Sequence, residues 1–118
     1  MAKTVLIVED DLDIRDPLRE LLEEEGYKVE CASTGLEALQ MLQTSRPNII
    51  LFDLMIPIMS GIELIQTLRD EHNKVATVVV ILSAAAHAEK TASDLGVGFI
   101  RKPINIDVLL ATVHQYCA

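Results

Sequence analysis

The sequence predicts an α/β fold in which five parallel strands form one sheet with helices on both faces. Three observations support this fold class. Five short apolar segments alternate with longer amphipathic segments, the connections between them are short, and three of the apolar segments contain no polar residue. Strict alternation of strands and helices is typical of a parallel sheet, and a strand that is apolar at every position is typical of one buried on both faces.

The composition of the strands also predicts their order. We expect strands at residues 4–8, 28–32, 48–52, 77–82 and 97–101. After a polar first residue, the first, third and fourth are apolar at every position (5–8, 49–52 and 78–82), which places them in the centre. The second alternates and the fifth is short and contains a glycine, which places them at the edges. With right-handed crossovers, the simplest order is 2-1-3-4-5, a doubly wound, flavodoxin-like sheet. Its ligand crevice is expected at the carboxyl ends of strands one and three.

Five amphipathic segments predict the helices, at residues 13–25, 35–45, 61–72, 87–95 and 106–116. The first has apolar residues at core spacing and Gly26 as its stop; these residues are Ile14, Leu18, Leu21 and Leu22. If Asp13 caps this helix, Pro17 falls at about its fourth position, where it removes one hydrogen bond.

The later helices are predicted from the same spacing. The second is expected to bury Leu36, Leu39 and Leu42, and the third to bury an isoleucine- and leucine-rich face. The fourth is rich in alanine and has little volume to bury, so we expect it to be the most mobile helix.

Length and charge limit the classes of function. A chain of 118 residues has enough surface to bury for one core, so we expect a single domain spanning residues 1–118. The net charge is -8, and residues 9–25 contain nine acids and two bases. A sequence pI of about 4.7 without a basic cluster argues against nucleic-acid binding by this domain and against docking on an anionic membrane.

The sequence has no clear targeting segment and no clear metal-binding motif. No apolar run reaches the roughly 20 residues that span a bilayer, and the first apolar run does not resemble a signal peptide. Cys31 and Cys117 lack metal-ligand spacing and suit a reducing cytoplasm, with Cys31 as a small core residue and Cys117 as a frayed terminal one. The scattered histidines are expected to be exposed and to bind no metal; they are His72, His87 and His114.

Acidic residues follow two strands that the predicted order makes neighbours. Glu9, Asp10 and Asp11 follow the first strand, and Asp53 follows the third. Carboxylates packed closely raise one another's pKa unless a cation neutralises them, and Mg²⁺ held by a few carboxylates and water suits this set. The alternative, that these acids cap the next helix, accounts for Asp11 or Asp13 but leaves Glu9 and Asp10 unexplained.

Two further strand ends add a hydroxyl and an ammonium group. Ser83 follows the fourth strand, and Lys102-Pro103 follows the fifth, so both lie at the same edge of the sheet as the acids. Together with Mg²⁺, Lys102 can stabilise a phosphoryl group carried by one of the carboxylates, because phosphoryl transfer depends on cations placed around the phosphoryl oxygens.

These segments resemble a known family over the whole chain, the receiver domain of bacterial response regulators. The resemblance rests on VLIVEDD, IILFDLMIPIMSG, VVVILSA and FIRKPI, in that order. It implies that Asp53 is the phosphoacceptor. It also implies that Asp10, Asp53 and the Met55 carbonyl bind Mg²⁺, with Glu9 assisting, directly or through water.

The resemblance assigns the remaining site residues as well. Ser83 would bond a phosphoryl oxygen and Lys102 would pair with the phosphate. Phe99 would be the aromatic that turns inward when Ser83 moves to the phosphate, although an edge-strand aromatic packed against a helix is compatible with the same position. Pro57 and Gly61 match the loop after the phosphoacceptor, and the Lys102–Pro103 peptide bond is expected to be cis.

The function that the resemblance implies is signalling rather than enzymatic turnover. The phosphoryl group would come from a histidine kinase or histidine phosphotransfer protein, docked against the start of the first helix and the loop after Lys102. The signal would pass to a downstream effector domain or protein through the fourth predicted helix, the fifth strand and the last helix. Met55 and Ala85 cannot position a hydrolytic water, which predicts slow self-dephosphorylation. The segment at 96–99 is short and lacks the acidic pair of winged-helix regulators, which argues against a dimer of that type.

Three alternatives remain open. Asp11-Leu12-Asp13 imitates the nucleophile motif of a Mg²⁺-dependent haloacid-dehalogenase-type phosphatase, but Ile14-Arg15 follows where a hydroxyl residue is expected and the chain is short for that class. A flavodoxin-like FMN protein has the same strand order, yet the acids after strand one would repel the cofactor phosphate. A receiver-like module that binds partners without phosphorylation is disfavoured because all the expected acceptor-site residues are present.

Overall fold

The computed structural model describes residues 3–53 and 78–117, and its elements are labelled here in chain order. The strands are β1 (Thr4–Val8), β2 (Lys28–Ala32), β3 (Ile49–Asp53), β4 (Val78–Ser83) and β5 (Gly98–Arg101). The helices are α1 (Leu12–Glu24), α2 (Gly35–Met41), α3 (Ala88–Leu95) and α4 (Ile106–Cys117). The helix predicted at 61–72 lies outside the described residues, as do Met55, Pro57, Gly61 and His72.

The five strands form one parallel sheet in the order β2-β1-β3-β4-β5, which confirms the predicted fold class. β1 and β3 end side by side, with Val8 opposite Phe52. The central strands are almost wholly buried and the two edge strands are not. β3 and β4 each extend one residue beyond the prediction, so that Asp53 and Ser83 are the last residues of their strands.

Each face of the sheet carries its own core because alternate strand residues point to opposite sides. Val5 and Ile7 pack with the helices α1 and α4, whereas Leu6 and Val8 pack with α2 and α3. The helices therefore cover both faces, as predicted. Each fully buried aliphatic side chain contributes about 2 kcal/mol through removal of apolar surface from water, which makes the sheet a rigid support for its carboxyl edge.

The first helix begins earlier than predicted because Asp11, not Asp13, is its cap. The Asp11 side chain accepts a hydrogen bond from the Asp13 backbone N–H at 2.9 Å. Pro17 consequently lies in the second turn rather than at the fourth position, and the helix continues through it to Glu24. Gly26 ends the helix as predicted: its φ of +93° lies in the left-handed region that favours glycine.

The second helix corrects the prediction for Leu36. This side chain is 68% exposed, whereas Ala38 and Leu42 are buried and Leu39 is partly buried. Thr34 caps the helix through a hydrogen bond from the Glu37 N–H, and α2 then ends at Met41 rather than at residue 45. Leu36 precedes Ala38 by two residues, which is about 200° around a helix, and it therefore faces away from the sheet.

The thiols also differ from the prediction. Cys117 is buried in the core shared by α1 and α4 rather than frayed, whereas Cys31 is partly buried against that core, as expected. Both thiols are free, and burial raises the pKa of each. His87 and His114 are exposed, as predicted. No helix within residues 3–53 and 78–117 is long and apolar enough to cross a membrane.

Candidate functional site

The carboxyl edge of the sheet brings together the polar side chains that the strand order predicts. Asp53 ends β3, Ser83 ends β4, Glu9 follows β1 and Lys102 follows β5. Glu9, Asp53 and Ser83 are the only buried polar or charged side chains among the described residues. Elsewhere in the described part of the chain the core is apolar, so polar burial is confined to this edge.

The centre of the site is an ion pair between Asp53 and Lys102. The Lys102 ammonium donates to Asp53 Oδ1 at 2.5 Å, and Asp53 is buried. The Lys102 backbone N–H donates to the Ser83 carbonyl at 3.0 Å, which attaches the residue to the end of β4. The Lys102–Pro103 peptide bond is cis, as the resemblance implies. Lys102 is therefore held at the Asp53 carboxylate by its main chain as well as by its charge.

Glu9 lies beside this pair and is strongly perturbed. Its backbone N–H donates to the Ala32 carbonyl at 3.0 Å, and its Oε1 accepts a hydrogen bond from the Asp11 N–H, also at 3.0 Å. Burial, followed by the neighbouring Asp53 carboxyl, raises the pKa of Glu9 to about 8, against which the Asp11 N–H acts in the lowering direction. A carboxyl that is buried beside a second carboxyl favours either a proton or a nearby cation.

Two buried carboxylate oxygens indicate whether this site suits a metal ion. Glu9 Oε2 and Asp53 Oδ2 are buried and have no hydrogen-bond partner among the described residues. Buried acceptors normally have partners, and oxygen ligands of this kind suit Mg²⁺. The described ranges contain no group of three or more His, Cys, Asp or Glu side chains arranged to hold a metal ion, and Asp10, a predicted ligand, is exposed. The carbonyl of Met55, the other predicted ligand, lies outside these ranges. The two buried oxygens of Glu9 and Asp53 fit a hard divalent cation.

Ser83 is buried at the same edge, but its hydroxyl is directed toward the loop that follows β4. Ser83 Oγ accepts a hydrogen bond from the Ala85 backbone N–H at 3.0 Å. A hydroxyl that accepts one hydrogen bond can still donate its own hydrogen. Ser83 is thus positioned at the end of β4 with a donor available for an anionic group.

Phe99 is half-buried in the edge strand β5. Its ring packs against the core between the sheet and the helices α2 and α3, as the alternative interpretation of an edge-strand aromatic expects. The guanidinium carbon of Arg101 lies 5.6 Å from the centroid of the ring. The switch role of Phe99 stays a prediction.

The sequence interpretation missed Arg101. Besides its contact with Phe99, Arg101 forms an ion pair with Glu89 at 2.9 Å. The contact with Phe99 could have been predicted from the sequence, because side chains two positions apart on a strand share a face and Phe99 is two residues before Arg101. The partner Glu89 could not be found in this way, since it belongs to a different element.

The fold and this edge define a small α/β protein with a buried carboxylate–lysine site. The family model of the response regulator receiver domain matches residues 5–114. The chain belongs to this family of two-component signalling domains.

Similar proteins agree with this membership. The chain is 36% identical over 116 residues to an uncharacterized 14.6 kDa protein in the sodA1 3' region of Leptolyngbya boryana, covering 96% of this chain and 88% of that protein. It is 32% identical to the response regulator MprA of Mycobacterium ulcerans, covering 97% of this chain but only 50% of that protein. The chain therefore spans about half the length of some curated relatives.

One solved structure with the same fold is a complex with Mg(2+)-BeF. The response regulator protein TrrA from Thermotoga maritima, in complex with Mg(2+)-BeF, superimposes with a TM-score of 0.83 at 29% identity. The match covers 97% of this chain and 98% of that one.

Proposed function

We propose that this chain is a phosphorylatable receiver whose Asp53 accepts a phosphoryl group from a histidine kinase or a histidine phosphotransfer protein. One observation carries the proposal: Lys102 is held against the buried Asp53 carboxylate at 2.5 Å at the carboxyl edge of the sheet. A buried carboxylate paired with an ammonium group is an activated acceptor with a cation already positioned for the incoming charge.

The transfer is a displacement at phosphorus. A carboxylate oxygen of Asp53 attacks the phosphorus of a phosphohistidine, the P–N bond breaks, and its electron pair stays on the imidazole nitrogen of the donor. The products are an acyl phosphate on Asp53 and an unphosphorylated donor histidine. Lys102 moves its ammonium group from the carboxylate to the phosphoryl oxygens, and the Ser83 hydroxyl donates to another of them.

The proposed cofactor is Mg²⁺. Asp10, Asp53 and the Met55 carbonyl would hold the ion, with Glu9 assisting, directly or through water. Bound Mg²⁺ supplies positive charge to the phosphoryl oxygens as they develop charge. The buried oxygens of Glu9 and Asp53 without partners among the described residues support this assignment, and so does the Mg(2+)-BeF complex of the structural neighbour TrrA.

Exposed apolar residues beside the site support a protein donor. Leu12 begins α1 shortly after the acidic segment, and Ile106 begins α4 shortly after Lys102; both are exposed. Exposed apolar patches rimmed by polar residues are common at interfaces with proteins, and these two residues would belong to such a patch. The donor would dock over the site between these two segments, in the cytoplasm, with no nucleic acid bound by this domain.

The output is conformational rather than catalytic. Phosphorylation would redirect Ser83 from Ala85 to the phosphate and move Phe99 inward, altering the surface formed by α3, β5 and α4. That surface would be read by a downstream effector domain or protein, with residues 1–118 acting as one receiver domain. The chain would dephosphorylate slowly and would not turn over substrate.

Intact-mass measurement tests the proposal. The native chain, incubated with Mg²⁺ and acetyl phosphate, gains one phosphoryl group, and Asp53→Asn gains none. Asp107→Asn, a change at an exposed aspartate in the first turn of α4, is the matched control and is phosphorylated like the native chain. A native chain that stays unmodified, or an Asp53→Asn chain that gains the same group, overturns the proposal. Turnover of a phosphomonoester would instead favour the dehalogenase-type phosphatase.

A further inference from the structure

One side chain, Arg101, links the edge strand to the helix beside it through two contacts. Its guanidinium is 2.9 Å from the Glu89 carboxylate in the first turn of α3. The same guanidinium lies over the ring of Phe99, 5.6 Å from the centroid. Glu89, Arg101 and Phe99 together form the edge clamp.

The edge clamp adjoins the acceptor site through the chain itself. Arg101 is paired with Ser83 in the parallel register of β4 and β5, and Phe99 is paired with Ile81. The next residue, Lys102, holds Asp53. The main chain that positions Lys102 and Ser83 therefore also positions the guanidinium over the ring.

We propose that Arg101, held by Glu89, is a positioning residue that keeps the Phe99 ring at the sheet edge in the unphosphorylated chain and so restrains switching. This inference rests on the proposed function. The guanidinium is permanently charged and half-exposed, and burying it without a partner is costly. The ring can therefore leave the edge for the interior only after it separates from Arg101. The ion pair to Glu89 opposes that separation because it fixes the guanidinium over the ring.

The restraint on Phe99 should be weak because the side chains that provide it are exposed. An exposed ion pair and an exposed cation–π contact are each weak because water competes for both charges. We expect their loss to raise the rate of Asp53 phosphorylation about threefold. Such an effect adjusts the switch without blocking it.

The chain offers a direct probe of the ring because it contains two phenylalanines, Phe52 and Phe99. Incorporation of 4-fluorophenylalanine gives two fluorine NMR signals, and the fully buried Phe52 is an internal reference. Phe99→Leu assigns the other signal. The test compares the native chain with Glu89→Gln, Arg101→Gln and Arg101→Lys. Glu23→Gln is the matched control, since it removes an exposed glutamate from an ion pair with Arg19 on α1.

The expected result has two parts. In the unphosphorylated chain, Glu89→Gln and Arg101→Gln move the Phe99 signal toward its position in the native chain phosphorylated by acetyl phosphate, with the Phe52 signal unchanged. Both variants are also phosphorylated about threefold faster. Arg101→Lys retains a cation and stays close to the native chain, and Glu23→Gln changes neither property.

The possible results distinguish failure of the proposed Arg101 role from failure of the proposed function. In one result, the native chain is phosphorylated while Glu89→Gln and Arg101→Gln have the same Phe99 signal and the same phosphorylation rate as the native chain. That result overturns the proposed role of Arg101 and leaves the proposed function intact. If the ring signal moves while the rate is unchanged, the restraint on switching is likewise overturned. A native chain that never gains a phosphoryl group overturns the proposed function, and the positioning role of Arg101 with it.

Discussion

Two ion pairs formed by adjacent residues of the chain differ sharply in surroundings. Lys102 pairs with Asp53 at 2.5 Å, with side chains 17% and 1% exposed. Arg101 pairs with Glu89 at 2.9 Å, with side chains 52% and 65% exposed. Both link the end of β5 to another element, so the difference between them is burial rather than location in the chain.

Burial changes what each pair can do. Around Asp53 few water molecules can screen the charges, so the loss of one partner leaves a charge that the protein must neutralise. Around Arg101 water screens both partners, so the loss of either costs little. The buried pair suits chemistry on a carboxylate, whereas the exposed pair suits adjustment of a conformational equilibrium.

The largest expected effect is on the buried pair. Lys102→Met leaves the Asp53 carboxylate buried without its cation, and we expect the free energy of unfolding to fall by about 3 kcal/mol at neutral pH. Adding Asp53→Asn removes the unpaired charge and recovers most of this loss. Urea unfolding measures both variants, with Lys90→Met at an exposed lysine of α3 as the control. If Lys102→Met lowers the free energy of unfolding no more than Lys90→Met does, the buried pair is not stronger than an exposed charge and the comparison of the two ion pairs fails.

The next effect depends on pH and concerns Glu9. Burial raises its folded pKa from 4.5 to about 8, so the folded chain binds a proton that the unfolded chain releases. This contribution to stability is present below the unfolded pKa and is lost as the pH rises through the folded pKa. Glu9→Gln mimics the protonated form, and we expect it to be more stable than the native chain above neutral pH, by on the order of 2 kcal/mol.

Urea unfolding in EDTA from about pH 5 to pH 9 checks the Glu9 prediction. The advantage of Glu9→Gln should be small at the acidic end and should increase toward the alkaline end. Glu24→Gln, at an exposed glutamate of α1, should show no comparable trend. An advantage for Glu9→Gln that is the same at every pH would show that burial of this carboxyl does not control its titration.

Mg²⁺ should have a smaller effect at the same site. A cation that binds only the folded chain stabilises it by about 1.4 kcal/mol at ten times its dissociation constant. We expect Mg²⁺ to raise the thermal unfolding midpoint of the native chain and EDTA to reverse this. Asp53→Asn should respond much less because it has lost a proposed ligand charge. Equal responses of the two chains would place the cation elsewhere.

The smallest effect should come from the exposed pair. Glu89→Gln should lower the free energy of unfolding by about 0.5 kcal/mol or less, because both partners are solvated. The difference from the native chain should vanish when the salt concentration is raised to about 0.5 M, since screening weakens exposed pairs first. A loss close to that of Lys102→Met would mean that the exposed pair is effectively buried.

The fold could be predicted because the amino-acid composition of a strand indicates how many of its faces are buried. A strand covered on both faces has a nearly continuous apolar run, so β1, β3 and β4 were recognisable as central from their residues alone. The order of strands then placed Asp53, Ser83 and Lys102 at one edge. The contact between Asp53 and Lys102 confirms that part of the prediction.

The errors arose where a local pattern left two orientations open. Leu36 fits a helical apolar spacing, but the Thr34 cap and the short helix α2 turn it to solvent. Asp11 and Asp13 were both plausible caps, and the geometry selects Asp11. Cys117 is near the end of the chain, yet α4 packs it into the core. In each case the deciding contact comes from an element remote in sequence or from cap geometry.

The sequence by itself determined the sheet, its strand order and the polar residues at its carboxyl edge, because hydrophobic periodicity and strand ends are properties of neighbouring residues. Only the tertiary structure decided which of those polar groups are buried: the raised pKa of Glu9, the enclosed Asp53–Lys102 pair and the exposed Arg101–Glu89 pair all depend on distances between elements. The physical reason is that the strength of a charge interaction depends on the surrounding water, and the fold controls how much water reaches each charge.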